Sequence, residues 1–241
     1  MSASERRGAA RTAVVWDGLR PVLEALSTGQ HDQAPARVLD IGGGTGGFAV
    51  RVAQLGHSVT VVDPSPDALA SLDRRARELG VQVTGVQGDI DGLPSLVGPA
   101  DLVLCHGVLE VVDDPAAALV RIREVLRPGG VLSLLVAQRH AAVIARAMAG
   151  HFTAALALLD ETAPQGRAGR RFTAAEATSL LTDAGFGVTS THGIRIFADL
   201  VPGSLLDLEP GATAALVELE RVAAEREEYL PLAMQLHLLA T

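Results

Sequence analysis

Asp40, Gly42, Gly44 and Gly46, in the stretch VLDIGGGTGG from Val38 to Gly47, have the D-x-G-x-G-x-G spacing of a turn that holds S-adenosylmethionine. Gly42, Gly44 and Gly47 have, in the same letters, the G-x-G-x-x-G spacing of a dinucleotide turn. The acids around the turn favour the first. Asp40 stands at a strand end, where a carboxylate can meet a methionine ammonium directly or through water. Asp63 ends the next apolar run, HSVTVVD, where it can accept from both ribose hydroxyls. Asp89, in QGDI, follows a third run, where it can accept from an adenine amino group while neighbouring backbone and Ile90 hold the ring. A dinucleotide site would use Asp63 equally well but leaves Asp40 and Asp89 without a role, and it must also contact two phosphates. Pro64 and Gly88 complete the candidate cofactor set with Gly43.

These residues need elements that bring them to one edge. Short apolar runs alternate with helical patterns: ARVLDI, HSVTVVD, VQVTGVQGD, PADLVLCHG and VLSLLVA read as strands, and GVTSTHGIRIF and LAMQLHLLA close the chain as two more. Ser65 and Asp114 are helix caps, each followed by proline at the first helical position, and Pro128-Gly129-Gly130 is a stop. Thr173 and Glu176 form a capping box, and Gly185 ends the helix it opens. A final helix is expected over TAALVELERVAAEREEYL. Apolar strands separated by helices predict an α/β fold, a doubly wound, mostly parallel sheet of Rossmann-like form, with ligands at the carboxyl ends of its central strands. One domain is expected over 1–241, with a helical insertion at 139–172 acting as a lid and an N-terminal helix at 1–29 closing the cofactor pocket.

With 241 residues, 48% of them hydrophobic, the chain can bury a substantial core. Its formal charge of −8 argues against nonspecific coating of nucleic acid, which depends on neutralising phosphates. No DNA partner is expected. The lone Cys105 can form no internal disulfide and lacks partners for a cysteine metal site, so no metal is expected. The opening MSASERRGAARTAVVW has no apolar core of the secretory kind, and Arg139, His140 and Arg146 interrupt the most apolar later stretch. A soluble, cytoplasmic protein without a membrane partner follows. Oligomeric state is not legible.

The segments VLDIGGGTGGFAVRVAQLGHSVTVVDPSPDAL, QGDI, DLVLCHGVLEVVDDP and VLRPGGVLSLLV resemble successive motifs of the class I S-adenosylmethionine-dependent methyltransferases. DLVLCHGVLEVVDDPAAAL, MAGHF, AGFGVTSTHGIRIFAD and ELERVAAEREEYLPLAMQLHLLA are similar to segments of the bacterial tRNA 5-carboxymethoxyuridine methyltransferases, which methylate the carboxylate on a wobble uridine. That likeness begins near Gly8. It implies Arg11 as a ligand of the cofactor carboxylate, Gly42 and Gly43 as the glycine loop, Asp63 as the ribose acid and His106 as a cofactor-pocket residue. His106 also ends the fourth strand, beside the expected methyl group.

The substrate side departs from that family. The start is MSASERRG in place of aromatic and basic residues. The loop of the insertion carries Arg167, Arg170 and Arg171 in place of a basic run, Met234 stands where an arginine would align, and Ala137 and Gln138 replace an aromatic residue and an asparagine. A carboxylate acceptor is already an anion and needs an anchor but no general base. Arg195 in HGIRIF is the candidate anchor, with Tyr229 and His192 as further pocket candidates. For a hydroxyl or amine acceptor, His106 or His192 could act as base. Four readings stand in this order: methylation of a carboxylated tRNA nucleoside, methylation of a small metabolite under a lid, a noncatalytic binding protein that keeps the fold, and a nicotinamide oxidoreductase.

Overall fold

The computed structural model describes residues 3–28, 35–159, 169–202 and 210–241, and, in the first helix, the side chains of residues 12–27. Helix α1 covers Ala3–Thr28. Then β1 (Arg37–Ile41), α2 (Ala49–Gln54), β2 (Ser58–Asp63), α3 (Pro66–Glu78), β3 (Val83–Gln87), α4 (Leu93–Leu96), β4 (Ala100–His106), α5 (Pro115–Val125) and β5 (Leu126–Ala137) follow. After β5 come α6 (Arg139–Met148) and α7 (Phe152–Leu159), then α8 (Ala174–Asp183), β6 (Val188–Ile194), α9 (Ala212–Ala224) and β7 (Gln235–Ala240).

The strands form a seven-stranded sheet in the order β3-β2-β1-β4-β5-β7-β6. β1 runs parallel to β2 and β4, and β2 runs parallel to β3. Gly187, just before β6, exchanges both backbone hydrogen bonds with Thr241, just after β7, so those two strands are antiparallel. The result is the mostly parallel, helix-flanked α/β sheet that the alternating pattern predicts. Residues 1–21, 135–178 and 190–238 form one compact unit, and residues 22–134, 179–189 and 239–241 form the other.

In the second unit, the central strands β1 and β4 are buried along almost their whole length, as continuous apolar runs demand, while β3 at the sheet margin is largely exposed. Ser65 caps α3 by accepting from the Ala68 N–H at 3.3 Å, and Asp114 caps α5 by accepting from Ala116 and Ala117 at 3.0 Å. Helix α5 then buries Ala118, Leu119, Ile122 and Val125, a stripe with helical period.

In the first unit, the capping box forms: Thr173 N–H donates to Glu176 at 2.8 Å, and Glu176 N–H donates to Thr173 Oγ1 at 3.2 Å. The Arg139 guanidinium adds 2.7 and 2.8 Å bonds to the same carboxylate. Burial opposes the charge on Glu176, but the Thr173 and Arg139 donors prevail and hold its pKa below the usual carboxylate value.

Four boundaries differ from the sequence expectation, and one is the end of β6, which stops at Ile194 and leaves Arg195, Ile196 and Phe197 in a turn. Helix α5 stops at Val125, and the Pro128-Gly129-Gly130 stretch lies inside β5, because the chain turns extended at Leu126. The last helix ends at Ala224, and Glu227–Leu232 forms a 3₁₀ turn containing Pro231. Proline there has no N–H to continue an α-helix. The last strand accordingly begins at Gln235, three residues later than its apolar letters suggest. Among the described residues, no helix is long and apolar enough to cross a membrane.

Candidate active site

The parallel register sets Ile41 beside Val62 and Cys105 and sets Asp63 beside Gln87. The carboxyl ends of β1 to β4 therefore share one edge. From it spring the glycine turn, Asp63-Pro64, Gly88-Asp89-Ile90 and His106, all within the second unit. Gly42, Gly44 and Gly46 have φ of +63°, +55° and +77°, whereas Gly47 has no positive φ. Left-handed backbone thus falls on the alternate glycines of the D-x-G-x-G-x-G spacing. Gly43 is required for another reason. A Cβ there would lie 2.5 Å from Asp40 Oδ2, so the turn crosses directly over that carboxylate.

Asp40 is 3% exposed, and among the described residues no group donates a hydrogen bond to it. Burial, followed by the negative charge of Asp63, pushes its pKa up to about 7. A buried acid without a donor beneath a glycine turn is suited to a cation. Asp63 is held differently: its Oδ2 accepts from Gly44 N–H and its Oδ1 from Ser65 N–H, each at 2.9 Å. Each oxygen keeps a lone pair, which matches a pair of vicinal hydroxyls.

Asp89 accepts from Gly92 N–H at 3.1 Å through Oδ1, which braces the turn and leaves Oδ2 for a ligand. A Cβ on Gly88 would strike Leu96, Ile90 is buried at 5% exposure, and Pro64 is exposed, with its carbonyl 3.4 Å from the Gln87 amide. His106 ends β4 with Nε2 2.8 Å from Ser133 Oγ, and the Phe48 ring meets its imidazole edge-on at 5.0 Å. Neither Ser133 nor Phe48 is distinguishable in the sequence from the core residues around it. Cys105, beside His106, is fully buried, and burial pushes its thiol away from the reactive thiolate. No group of metal-ligating residues occurs among the described residues.

The first unit holds the remaining candidates. Arg11 falls within α1, but its side chain lies outside the described part, and Arg167 lies outside the described residues altogether. Arg195 follows β6 with φ +59°, and its Nε and Nη2 bond one Asp199 oxygen at 2.7 and 2.5 Å. Glu220, fully buried on α9, accepts from the N–H groups of Ile196, Phe197 and Ala198. Asp199 could have been anticipated from its opposite charge four residues after Arg195. Glu220 could not, since ELER reads as a solvated helix face. Tyr229 packs edge-on against Phe197 at 5.7 Å, next to this turn. His192 is 7% exposed and stacks on His237 at 5.5 Å, with Glu225 3.6 Å away. Burial lowers its pKa against the opposing pull of Glu225. A Cβ on Gly18 would stand 3.2 Å from both rings, so His192 is packed as a core residue.

The donorless Asp40, the glycine turn lying close over it and the braced Asp63 fit S-adenosylmethionine, with its ammonium and its ribose. Residues 38–130 match a family described as a methyltransferase domain. The chain is 30% identical over 250 residues to the tRNA 5-carboxymethoxyuridine methyltransferase of Escherichia coli K12, covering 97% of this chain and 88% of that one. It is 36% identical over 133 residues to a ubiquinone biosynthesis O-methyltransferase of Xanthomonas axonopodis, covering 55% and 56%. In fold it resembles the magnesium protoporphyrin IX methyltransferase of Synechocystis with bound SAH, at a TM-score of 0.60 and 18% identity over 97% of this chain and 82% of that one. A Mesorhizobium loti S-adenosylmethionine-dependent methyltransferase gives 0.57 and 18% over 92% and 96%. The protein is an S-adenosylmethionine-dependent class I methyltransferase, and the chain belongs to the tRNA 5-carboxymethoxyuridine methyltransferase family.

Proposed function

We propose that the enzyme methylates a carboxylate, that of 5-carboxymethoxyuridine at the tRNA wobble position. What supports this most is the extent of the likeness: similarity to the E. coli tRNA enzyme runs over 97% of this chain, while similarity to the ubiquinone enzyme covers 55%. S-adenosylmethionine supplies an electrophilic methyl group on a positively charged sulfur. Asp40 would hold its ammonium, Asp63 its ribose hydroxyls and Asp89 its adenine amino group, and the family resemblance gives Arg11 as the partner of its carboxylate. Gly42, Gly43, Gly44 and Gly46 shape the turn, Pro64, Gly88 and Ile90 border the nucleoside, and His106 lines the pocket near the methyl group.

Arg195 anchors the acceptor. Its Nε side is committed to Asp199, and among the described residues nothing accepts from Nη1, so the Nη1 and Nη2 edge suits a carboxylate. An ionised acceptor requires no base. The enzyme's work is then to hold the acceptor oxygen in line at near contact.

The test is transfer of labelled methyl to tRNA from cells that make 5-carboxymethoxyuridine, against tRNA from cells that do not and against a small-metabolite extract. Label confined to the modified tRNA, falling steeply with salt, agrees with the proposal, because phosphate contacts release counterions. Label in the metabolite fraction with weak salt dependence establishes the second reading, a small-molecule methyltransferase. The net charge of −8 and the ubiquinone relatives favour that reading.

A further inference from the structure

We propose that Glu220 is a positioning residue for the acceptor anchor: its buried carboxylate gathers the N–H groups of Ile196, Phe197 and Ala198 and so fixes the backbone and guanidinium of Arg195. The inference rests on Arg195 being that anchor.

Arg195 is the one described residue other than glycine with positive φ, at +59°. Such a conformation persists in a residue with a side chain only where its surroundings determine it. The determinant is immediately downstream. Glu220 Oε2 accepts from Ile196 at 2.8 Å, while Oε1 accepts from Phe197 at 2.9 Å and Ala198 at 2.7 Å. Consecutive N–H groups that converge in this way form a concavity for an anion, and here the anion is built into the chain. Glu220 is itself 0% exposed, and Ile196, Ala223 and Ala233 pack in one cluster beside it. Arg195 O also accepts from Met234 N–H at 3.3 Å, which ties the turn to the start of β7. With its backbone fixed, the guanidinium reaches Asp199 four residues on, and that pair sets which edge remains for a substrate. Glu220 touches neither the guanidinium nor any acceptor, so it acts through Arg195.

Glu220→Gln keeps the volume and one acceptor oxygen but turns an amide N–H toward the backbone, which releases one of the three N–H groups. The first readout needs no substrate. In a ¹⁵N spectrum, the Arg195 Nε–H signal, assigned by its loss in Arg195→Ala, should be shifted and protected through its bond to Asp199. It should move to the free-arginine position in Glu220→Gln, while S-adenosylhomocysteine affinity and the melting transition show a folded cofactor site. The second readout is kinetic. KM for the modified tRNA should rise about tenfold with kcat little changed, the scale of one charge-assisted anchor. Glu220→Gln should add nothing further in an Arg195→Ala background. Glu220→Asp, which keeps charge and both oxygens, should restore part of the signal and of KM, and it serves if Glu220→Gln does not fold. An unmoved Arg195 signal, or a KM effect that persists in full without Arg195, overturns the inference and leaves the anchor standing. An Arg195→Ala enzyme with unaltered acceptor KM instead removes the anchor itself, and the role of Glu220 with it.

Discussion

Cofactor binding should release a proton at neutral and mildly acidic pH, and Asp40 should be its source. The carboxyl is 3% exposed, lacks a described donor, and has a pKa raised from 3.8 to about 7 by burial and then by Asp63. In the free enzyme at pH 6, roughly nine Asp40 side chains in ten then carry a proton. An ammonium placed against the carboxylate favours the charged form and drives that proton off. Affinity for S-adenosylhomocysteine should therefore improve about tenfold per pH unit up to pH 7 and level off just above it. Calorimetry in two buffers of different ionisation enthalpy should count close to one proton released per ligand at pH 6 and few at pH 8. Asp40→Asn should bind more weakly and lose the dependence. The same shift has a stability consequence of definite sign. The folded chain keeps a proton that the unfolded chain loses near pH 3.8, so this contribution is fully present below that pH and is lost as pH rises through 7. Affinity that is flat from pH 5.5 to 7.5, or a dependence unchanged in Asp40→Asn, refutes the reasoning.

Asp63→Ala should cost roughly 1.5–3 kcal/mol in S-adenosylhomocysteine binding, since an ionised acceptor for two hydroxyls is removed; titration calorimetry measures it, and NAD should not bind either form. Gly43→Ala should fold but lose most cofactor affinity, because the new methyl group would stand 2.5 Å from the Asp40 carboxylate oxygen; a melting curve and a binding isotherm together check this. Deleting the residues before Val14 should weaken cofactor binding while leaving the protein folded, and equal affinity in the truncated chain removes Arg11 from the site.

The cofactor half was legible because its chemistry is local. A turn that needs left-handed backbone must be written in glycine, and acids at strand ends fall at a fixed offset from it. Asp40, Gly42, Gly44, Gly46 and Asp63 therefore announce themselves in sequence and meet at one edge of the sheet. The sequence left the choice between Gly46 and Gly47 to the acids, and the φ angles agree with that choice. Ser65, Asp114 and the Thr173–Glu176 box were legible for the same local reason. What stayed hidden depends on long-range packing. Glu220 meets Ile196, Phe197 and Ala198 only because α9 folds back on the turn after β6, and the hydrogen bond of Ser133 to His106 joins neighbouring strands. His192 could not be told from a pocket base until its stacking on His237 was seen. The ends at Val125 and Gln235 moved because apolar letters continue across a change of backbone conformation, and the end at Ala224 moved because the helix-compatible charged letters EREE run on towards Pro231.

The central claim is methyl transfer to a carboxylate on tRNA, and the fate of the transferred label under mild alkali tests it most directly. Modified tRNA labelled by this enzyme from S-adenosylmethionine should release the label as methanol, as a methyl ester does, and return 5-carboxymethoxyuridine on nucleoside analysis. Label that stays on the nucleoside through alkali is an ether or an amine and contradicts the account.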